Sequence, residues 1–363
     1  MLGGLWAYYA VRAEVQPARA LGEQLLSLAQ KVQDPLLFSE AYYELGFLLL
    51  FQGEFAPARA RLEQGFAFYE PQQHGSDALV YGYDSGMTCA ALTTWALWYL
   101  GYPDQALKRM HETLTLTRSL SHPYSLALVL DVSFTLHQFC REVQVVREQT
   151  DVVIALSTEQ GFQYWLAWGT TLKGWSLAEQ GQREEGIAQL RRGLAAYRDT
   201  GAELWRSYQL SLLAETCGKM GHVEEGLKVL TEALAVVEKN EEHFYEAELY
   251  RLKGTLTLQK FQVSSFEFQV TDPRPPTPDP QAEAEACFFK AIEIARKQQA
   301  KSLELRAVMS LARLWQQQGK QKESHDLLSE IYGWFTEGFG TKDLHEAKAL
   351  LAELQDAVLR EAR

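Results

Sequence analysis

The sequence lacks the cysteine pattern of a secreted protein. Its four cysteines, at positions 89, 140, 217 and 287, lie far apart and include no Cys-x-x-Cys pair, so we expect no disulfide framework. We interpret them as small buried hydrophobic residues. No apolar stretch reaches the roughly 18 residues of a membrane span, and no signal peptide is recognisable. The sequence therefore predicts a cytoplasmic protein without a membrane partner.

An excess of basic residues is also missing. The formal net charge is -12 at pH 7, which argues against a nucleic-acid partner because phosphate backbones require clustered lysine and arginine. There is no phosphate-binding Gly-x-x-x-x-Gly-Lys-Ser/Thr loop and no His-Glu-x-x-His zinc motif. Residues 82–86 resemble a serine nucleophile loop, but without a hydrolase context. We expect no enzyme activity in this chain, no catalytic residues, no metal and no cofactor.

The sequence does contain an internal repeat of forty residues. Turn-like positions recur at that spacing at Gly101, Arg141, Gly181, Gly221 and Phe261. A second series keeps the same step at Gly161, Gly201 and the pair Asn240-Glu241. A fixed period of 20–50 residues is typical of a solenoid, in which each unit buries its apolar face only by stacking on its neighbours.

Each repeat is predicted to be a pair of helices that cross closely. Apolar residues keep helical spacing on both sides of each turn, and small residues such as Gly174, Gly186 and Gly193 recur where the helices meet. The fold class is therefore all-α, a tetratricopeptide-like solenoid of about eight helix pairs, from near Leu5 to near Phe335. The full pairs are expected near 41–69, 88–117, 127–157, 167–197, 207–237, 246–298 and 304–335.

Two segments interrupt the repeat, and a last helix follows it. A segment around residues 71–77 lengthens one repeat by about eight positions, and an insert over 262–283 carries five prolines between positions 273 and 280. We expect the insert to be disordered, although the alternating stretch 263–270 could form a short strand. The apolar face of residues 342–361 predicts a helix that caps the solenoid. The whole chain, 1–363, is interpreted as one superhelical domain.

Several phrases of the sequence resemble one bacterial family. They occupy residues 101–107, 165–169, 244–254, 300–307 and 331–339. They are similar to the C-terminal repeat region of large signalling proteins in which an adenylate/guanylate cyclase or a Ser/Thr kinase domain precedes a STAND ATPase module. The resemblance implies a sensor and interaction arm cut from a longer chain. The motifs of the catalytic domains are not in this sequence, so no catalytic residue is carried over.

The spacing of small residues resembles the tetratricopeptide repeat, and this resemblance implies which residues face the concave groove. In the tetratricopeptide fold the first helix of each pair lines the concave surface, and this register makes the groove aromatic in its first half and charged in its second. The aromatic positions are Tyr43, Phe47, Phe51, Trp95, Trp98, Tyr99, Trp168, Trp175 and Tyr208. The charged positions are Glu215, Lys219, Glu248, Arg251, Arg306 and Arg313. Alternatively, the aromatic residues pack between the helices.

These positions predict a binding site rather than a catalytic one. Tryptophan and tyrosine are enriched in binding hot spots, and arginine suits carboxylate recognition. We expect the partner to be a peptide or protein segment, or upstream domains of the parent chain. The rival interpretation is a small-molecule sensor, for example of an oligosaccharide, because indole rings also stack on sugar faces. A homo-oligomer is possible through the first repeat.

Overall fold

The computed structural model describes residues 2–69, 82–267 and 279–361. Within them every regular element is a helix. The seventeen helices are α1 (Leu2–Val11), α2 (Val15–Val32), α3 (Pro35–Phe51), α4 (Phe55–Ala67), α5 (Ser85–Tyr99), α6 (Pro103–Ser119), α7 (Pro123–Phe139), α8 (Val143–Gln160), α9 (Gln163–Glu179), α10 (Arg183–Asp199), α11 (Arg206–Lys219), α12 (Val223–Asn240), α13 (Glu246–Glu267), α14 (Pro280–Lys297), α15 (Lys301–Gln317), α16 (Gln321–Trp334) and α17 (Lys342–Glu361).

The helices form eight consecutive pairs, from α1–α2 to α15–α16, and α17 covers the last pair. The predicted fold class is therefore confirmed. Some first helices begin earlier than expected: α3 begins at Pro35 rather than near 41, and α7 at Pro123 rather than near 127. Proline suits the first helical position, and the preceding Asp34 side chain accepts a hydrogen bond from the Leu36 N–H at 2.9 Å.

The boundaries of the predicted insert differ from those in the structure. Helix α13 continues to Glu267, so residues 263–267 are helical rather than the start of a strand, and Phe261 lies within this helix rather than at a turn. Helix α14 begins at Pro280, with Asp279 as its N-cap. The part of the insert that remains between α13 and α14, residues 268–278, lies outside the described residues, and so does its predicted disorder. The extra residues 71–77 also lie outside them, within 70–81.

Small residues allow α9 and α10 to approach until their backbones touch. A Cβ atom added at Gly174 would lie 2.6 Å from the Leu190 nitrogen and 2.8 Å from the Gly186 oxygen. At Gly193 it would lie 2.7 Å from the Thr171 nitrogen. Such distances leave no room for any side chain, which explains why the repeat places glycine at these crossings.

The turns of the repeat use the left-handed backbone region. Gly101, Gly181 and Gly221 have φ angles of 90°, 90° and 81°, as a tight turn after a helix requires. Arg141 occupies the equivalent turn with φ 61°, although a non-glycine residue is disfavoured there. The forty-residue series thus marks real turns at four of its five positions.

The superhelix closes on itself. The N–H groups of Glu203 and Leu204 donate to the Val11 carbonyl at 2.8 and 3.1 Å, and the Phe244 N–H donates to the Phe51 carbonyl at 3.1 Å. These contacts between residues far apart in sequence join α1 and α3 to the turns that precede the sixth and seventh helix pairs. The concave face consequently encloses an interior instead of forming an open groove.

Aromatic side chains from successive first helices fill the middle of that interior. The rings of Phe51 and Trp95 lie 4.1 and 4.8 Å from the Trp205 ring, and Trp98 stacks on Phe139 at 4.8 Å. We call this group the central aromatic core; its members are Phe51, Trp95, Trp98, Tyr99, Phe139, Trp168, Trp205, Tyr208, Phe244 and Tyr245.

Trp205 adopts a strained backbone conformation in this core, and its N–H is hydrogen-bonded to a buried carboxyl group. Its φ angle is 70°, a conformation that costs on the order of 1–3 kcal/mol for a bulky residue. The Trp205 N–H donates to Glu242 at 3.0 Å, and the Ser207 hydroxyl donates to the same carboxyl group. Burial raises the pKa of Glu242 to about 8 despite these donors.

This raised pKa predicts how stability depends on pH. Because Glu242 binds its proton more tightly in the folded chain, its contribution is complete below the unfolded pKa near 4.5 and is lost as pH rises through about 8. In thermal melts at several pH values, Glu242→Gln is expected to lose less stability than the parent over this interval. Equal slopes for the two proteins would contradict the assignment.

Candidate functional site: two cavities inside the superhelix

The central aromatic core separates two cavities of opposite character. One, the aromatic cavity, has a volume of about 230 Å³ and lies among α1, α3, α5, α7 and α9. The other, the charged cavity, has a volume of about 140 Å³ and lies among α9, α11, α13, α15 and α17. The predicted division of the concave face into an aromatic and a charged half corresponds to these two cavities.

The aromatic cavity combines indole and phenol rings with one carboxyl group. Its walls include Trp6, Tyr43, Trp95, Tyr124 and Trp165. Asp131 of α7 also lines it and is 5 % exposed, and its Oδ1 has no hydrogen-bond partner among the described residues. Burial raises the pKa of Asp131 well above its usual range, and the nearby Trp168 indole offsets only part of this.

The first group of ion pairs in the charged cavity lies on α9, α11 and α13. Lys219 contacts Glu215 at 3.0 Å and also contacts Glu179. Arg251 donates two hydrogen bonds to Glu248, at 2.7 and 2.8 Å. This bidentate geometry is the strongest arrangement available to an arginine and a carboxylate.

A second group of ion pairs joins α15 and α17 to the turn after α7. Arg306 donates to Asp343 at 2.7 Å and lies 5.0 Å from the Trp98 ring centre. Arg141 donates to Asp343 at 3.1 Å and to Glu346 at 2.9 Å. Its side chain therefore ties the strained turn to the closing helix.

These carboxylates remain charged although they are buried. Burial alone would raise the pKa of Glu248, but the Arg251 guanidinium outweighs it and the pKa lies below its usual value. The same balance lowers the pKa of Glu215, with Lys219 as the main opposing charge. Five basic and five acidic side chains line this cavity, so its charges cancel in number.

Twelve of the fifteen predicted groove positions, all except Phe51, Glu215 and Glu248, are the predicted contacts with a partner, and they fall into three places. Tyr43, Phe47 and Trp95 line the aromatic cavity. Trp175, Lys219, Arg251, Arg306 and Arg313 line the charged cavity. Trp98, Tyr99, Trp168 and Tyr208 lie in the central aromatic core.

The prediction that the last four residues face an open groove is corrected by their burial, because each is at most 3 % exposed. Trp95 and Trp175 are also buried, at 0 % and 2 % exposure, although they lie beside the cavities. The reason is the closure of the superhelix, which packs first helices against each other across the interior. These aromatic residues primarily stabilise the fold.

Sequence reasoning overlooked three residues that shape the cavities. The sequence offered a signal for Arg141, because this residue replaces glycine at a turn of the repeat. In the structure the Arg141 side chain forms ion pairs at that turn. Trp205 also lies at a recurring turn. Asp131 had no signal, because a single acidic residue within an apolar helix carries no periodicity.

The described residues contain no cluster of histidine, cysteine, aspartate or glutamate suited to a metal ion. In that part of the chain no helix combines the length and apolarity needed to cross a membrane. The four cysteines are unpaired and buried, as expected.

Comparison with known proteins gives a distant sequence relative and similar folds. No family model matches the chain. An uncharacterised protein of Rhizobium meliloti (strain 1021) is 20% identical over 258 residues, which cover 69% of this chain and 24% of that protein. The chain thus matches about a quarter of the length of this relative.

Two solved structures share the fold along almost the whole chain. A Rap protein complexed with Competence and Sporulation Factor superimposes with a TM-score of 0.58 and 10% identity, covering 99% of this chain and 98% of the other. Aspartyl phosphate phosphatase F from Bacillus subtilis gives a TM-score of 0.51 and 10% identity, covering 91% and 93%. At this identity the likeness shows a common helical-repeat fold and nothing about the ligand.

Proposed function

We propose that this chain is the sensing arm of a larger signalling protein and binds an acidic peptide or protein segment at the charged cavity. The observation that carries the proposal is the convergence of five basic side chains, from three helices and one turn, on one interior site. The fold supports it, because a protein of the same fold was solved in complex with Competence and Sporulation Factor.

Folding does not require such a network. Replacing a buried ion pair with apolar residues of similar volume is often neutral or stabilising, and this chain fills its other interior spaces with aromatic rings. Charges kept together around this interior space are therefore better explained by recognition. A ligand carboxylate can replace one of the acidic partners without leaving an arginine unpaired.

The residues of the network have different roles in this proposal. Arg306 and Arg251 are largely buried. Arg306 holds α15 to α17 through Asp343, and Arg251 of α13 donates to Ser310 of α15 at 3.4 Å. Arg313 and Lys219 are more exposed, with 47% and 39% of their side chains accessible. Arg313 lies 3.5 Å from Glu346, its single acidic contact among the described ion pairs, so it is the residue best placed to exchange partners.

The parent protein is also part of the proposal. The resemblance to repeat regions of cyclase or kinase fusions with a STAND ATPase, and the much longer relative, support an arm that controls attached domains. A cytoplasmic location is proposed on the four unpaired cysteines. We propose no catalytic activity for this chain, although the name of one structural neighbour is that of a phosphatase.

The proposal predicts a salt-dependent loss of affinity when Arg313 is neutralised. For peptides selected on the parent chain from a randomised library with free carboxyl termini, Arg313→Gln is expected to weaken binding about tenfold, as losing one charge-assisted hydrogen bond implies. The loss should shrink as salt rises. Fluorescence anisotropy with labelled peptides measures both quantities.

A matched control is available outside the cavity. Arg191 of α10 is exposed and paired with Glu225, so Arg191→Gln makes the same charge change on the outer surface. It should leave peptide affinity unchanged. Equal effects of the two substitutions, or no selected peptide whose binding depends on Arg313, would contradict the charged cavity as the site.

The second candidate is a small-molecule sensor, and the aromatic cavity favours it. Its volume of about 230 Å³ is below the roughly 300–1,000 Å³ of sites for drug-sized ligands. A molecule smaller than an oligosaccharide fits this space.

A further inference from the structure

We infer that the aromatic cavity is a second binding site, which takes a small organic cation of the quaternary ammonium type. The inference is independent of the charged cavity, since the central aromatic core separates the two. It depends on the composition of the cavity walls, on one buried acidic side chain whose Oδ1 has no hydrogen-bond partner among the described residues, and on the size of the space.

The walls of the cavity present aromatic rings from five helices, with Tyr124 from α7, and from the residues just before α5. Trp6 comes from α1, Tyr43 from α3, Trp95 from α5 and Trp165 from α9. Tyr83 adds a further ring, and its hydroxyl donates to Glu40 at 2.6 Å, which fixes its orientation. The electron-rich faces of indole and phenol rings attract a cation, and the attraction grows when water is excluded.

The polarity of the cavity selects a cation rather than an anion. Asp131 is the only acidic residue among the described side chains that line the space, and no lysine, arginine or histidine accompanies it there. Its Oδ1 has no hydrogen-bond partner. Burial favours the neutral form of Asp131, so its carboxylate forms readily only when a counter-charge lies beside it. A bound ammonium group supplies that charge.

The size of the space limits the ligand. A volume of about 230 Å³ accommodates a trimethylammonium group with a short substituent. A folded partner or a helix cannot enter it, and an extended peptide needs a longer groove. The cation is therefore a free small molecule, and the same ring cluster is large enough to surround its charged end.

The test uses two molecules of equal shape and different charge. Choline is titrated into the full chain in parallel with the alcohol in which a tert-butyl group replaces trimethylammonium. Isothermal titration calorimetry is expected to show choline binding at least about tenfold more tightly, as a desolvated cation–π contact implies. Tetramethylammonium and benzyltrimethylammonium test whether the substituent matters.

A substitution then assigns the site. Asp131→Asn keeps the shape and removes the charge, so choline affinity should fall about tenfold while affinity for the uncharged alcohol stays the same. Asp356→Asn, at an exposed position of α17, makes the same chemical change away from the cavity and should alter neither.

Two outcomes would overturn the inference. One is that none of the three cations binds saturably, or that choline and the alcohol bind equally to the parent; this comparison needs no variant, so it holds even if Asp131→Asn fails to fold. The other is that Asp131→Asn folds and binds choline as the parent does. Neither outcome bears on peptide binding at Arg313.

Discussion

Replacing Trp95 by alanine is expected to lower the free energy of unfolding by about 3–5 kcal/mol. Trp95 is fully buried, its ring lies 4.8 Å from that of Trp205, and its indole N–H donates to the Val132 carbonyl at 2.8 Å. Truncation therefore leaves a large cavity in the central aromatic core and removes the hydrogen bond to the Val132 carbonyl. Urea denaturation followed by circular dichroism measures the loss.

The same experiment separates a core residue from a binding residue. An aromatic hot spot on an open groove could be truncated without loss of helix, whereas a residue of the central aromatic core cannot. Trp334→Ala is the control, because that side chain is 37% exposed at the end of α16. A Trp95→Ala protein that is as stable as Trp334→Ala would show that the superhelix is open in solution.

The second large effect is expected at the crossing of α9 and α10. Gly174→Ala should lower the free energy of unfolding by roughly 1–3 kcal/mol, since overpacking a core costs about this much. The new Cβ would lie 2.6 Å from the Leu190 nitrogen. Because the nearest atoms belong to the backbone, they cannot move aside as a flexible side chain could. The two helices must then separate along their whole contact.

Gly333→Ala provides the matched comparison. Gly333 is also helical, but a Cβ atom there meets nothing within 4 Å, so alanine should be neutral or should stabilise by up to about 1 kcal/mol. If thermal melts of the two variants shift equally, the close approach of α9 and α10 is not present in solution.

Much of this architecture follows from the sequence because the repeat is local. Gly181 and Gly221 end their helices regardless of the tertiary structure that follows. Gly174 and Gly186 permit two helices of one pair to cross closely. Each signal lies within about forty residues of its partner. The helix pairs and the closing helix could therefore be predicted to within a few residues, except where capping at Pro35 and Pro123 extends a helix.

Closure of the superhelix could not be predicted in the same way. It depends on a small rotation per repeat that accumulates over several pairs until Phe51 meets Phe244 and Val11 meets Glu203. No local sequence pattern determines this accumulated rotation. The same aromatic positions that suggest an open groove, such as Tyr99 and Tyr208, thus become core once the ends of the curve touch. The charged residues line a polar space, because a buried charge keeps its partners around it, and their role in binding stays a prediction.

The most direct test of the account is hydrogen exchange on the chain with a selected acidic peptide bound. If the ligand occupies the charged cavity, the amides of α15 near Arg306 and Arg313 and those at the start of α13 should gain protection. The outward helices α8, α10 and α12 should exchange as in the free chain. Protection confined to those outward helices, with α13 and α15 unchanged, would contradict an interior binding site.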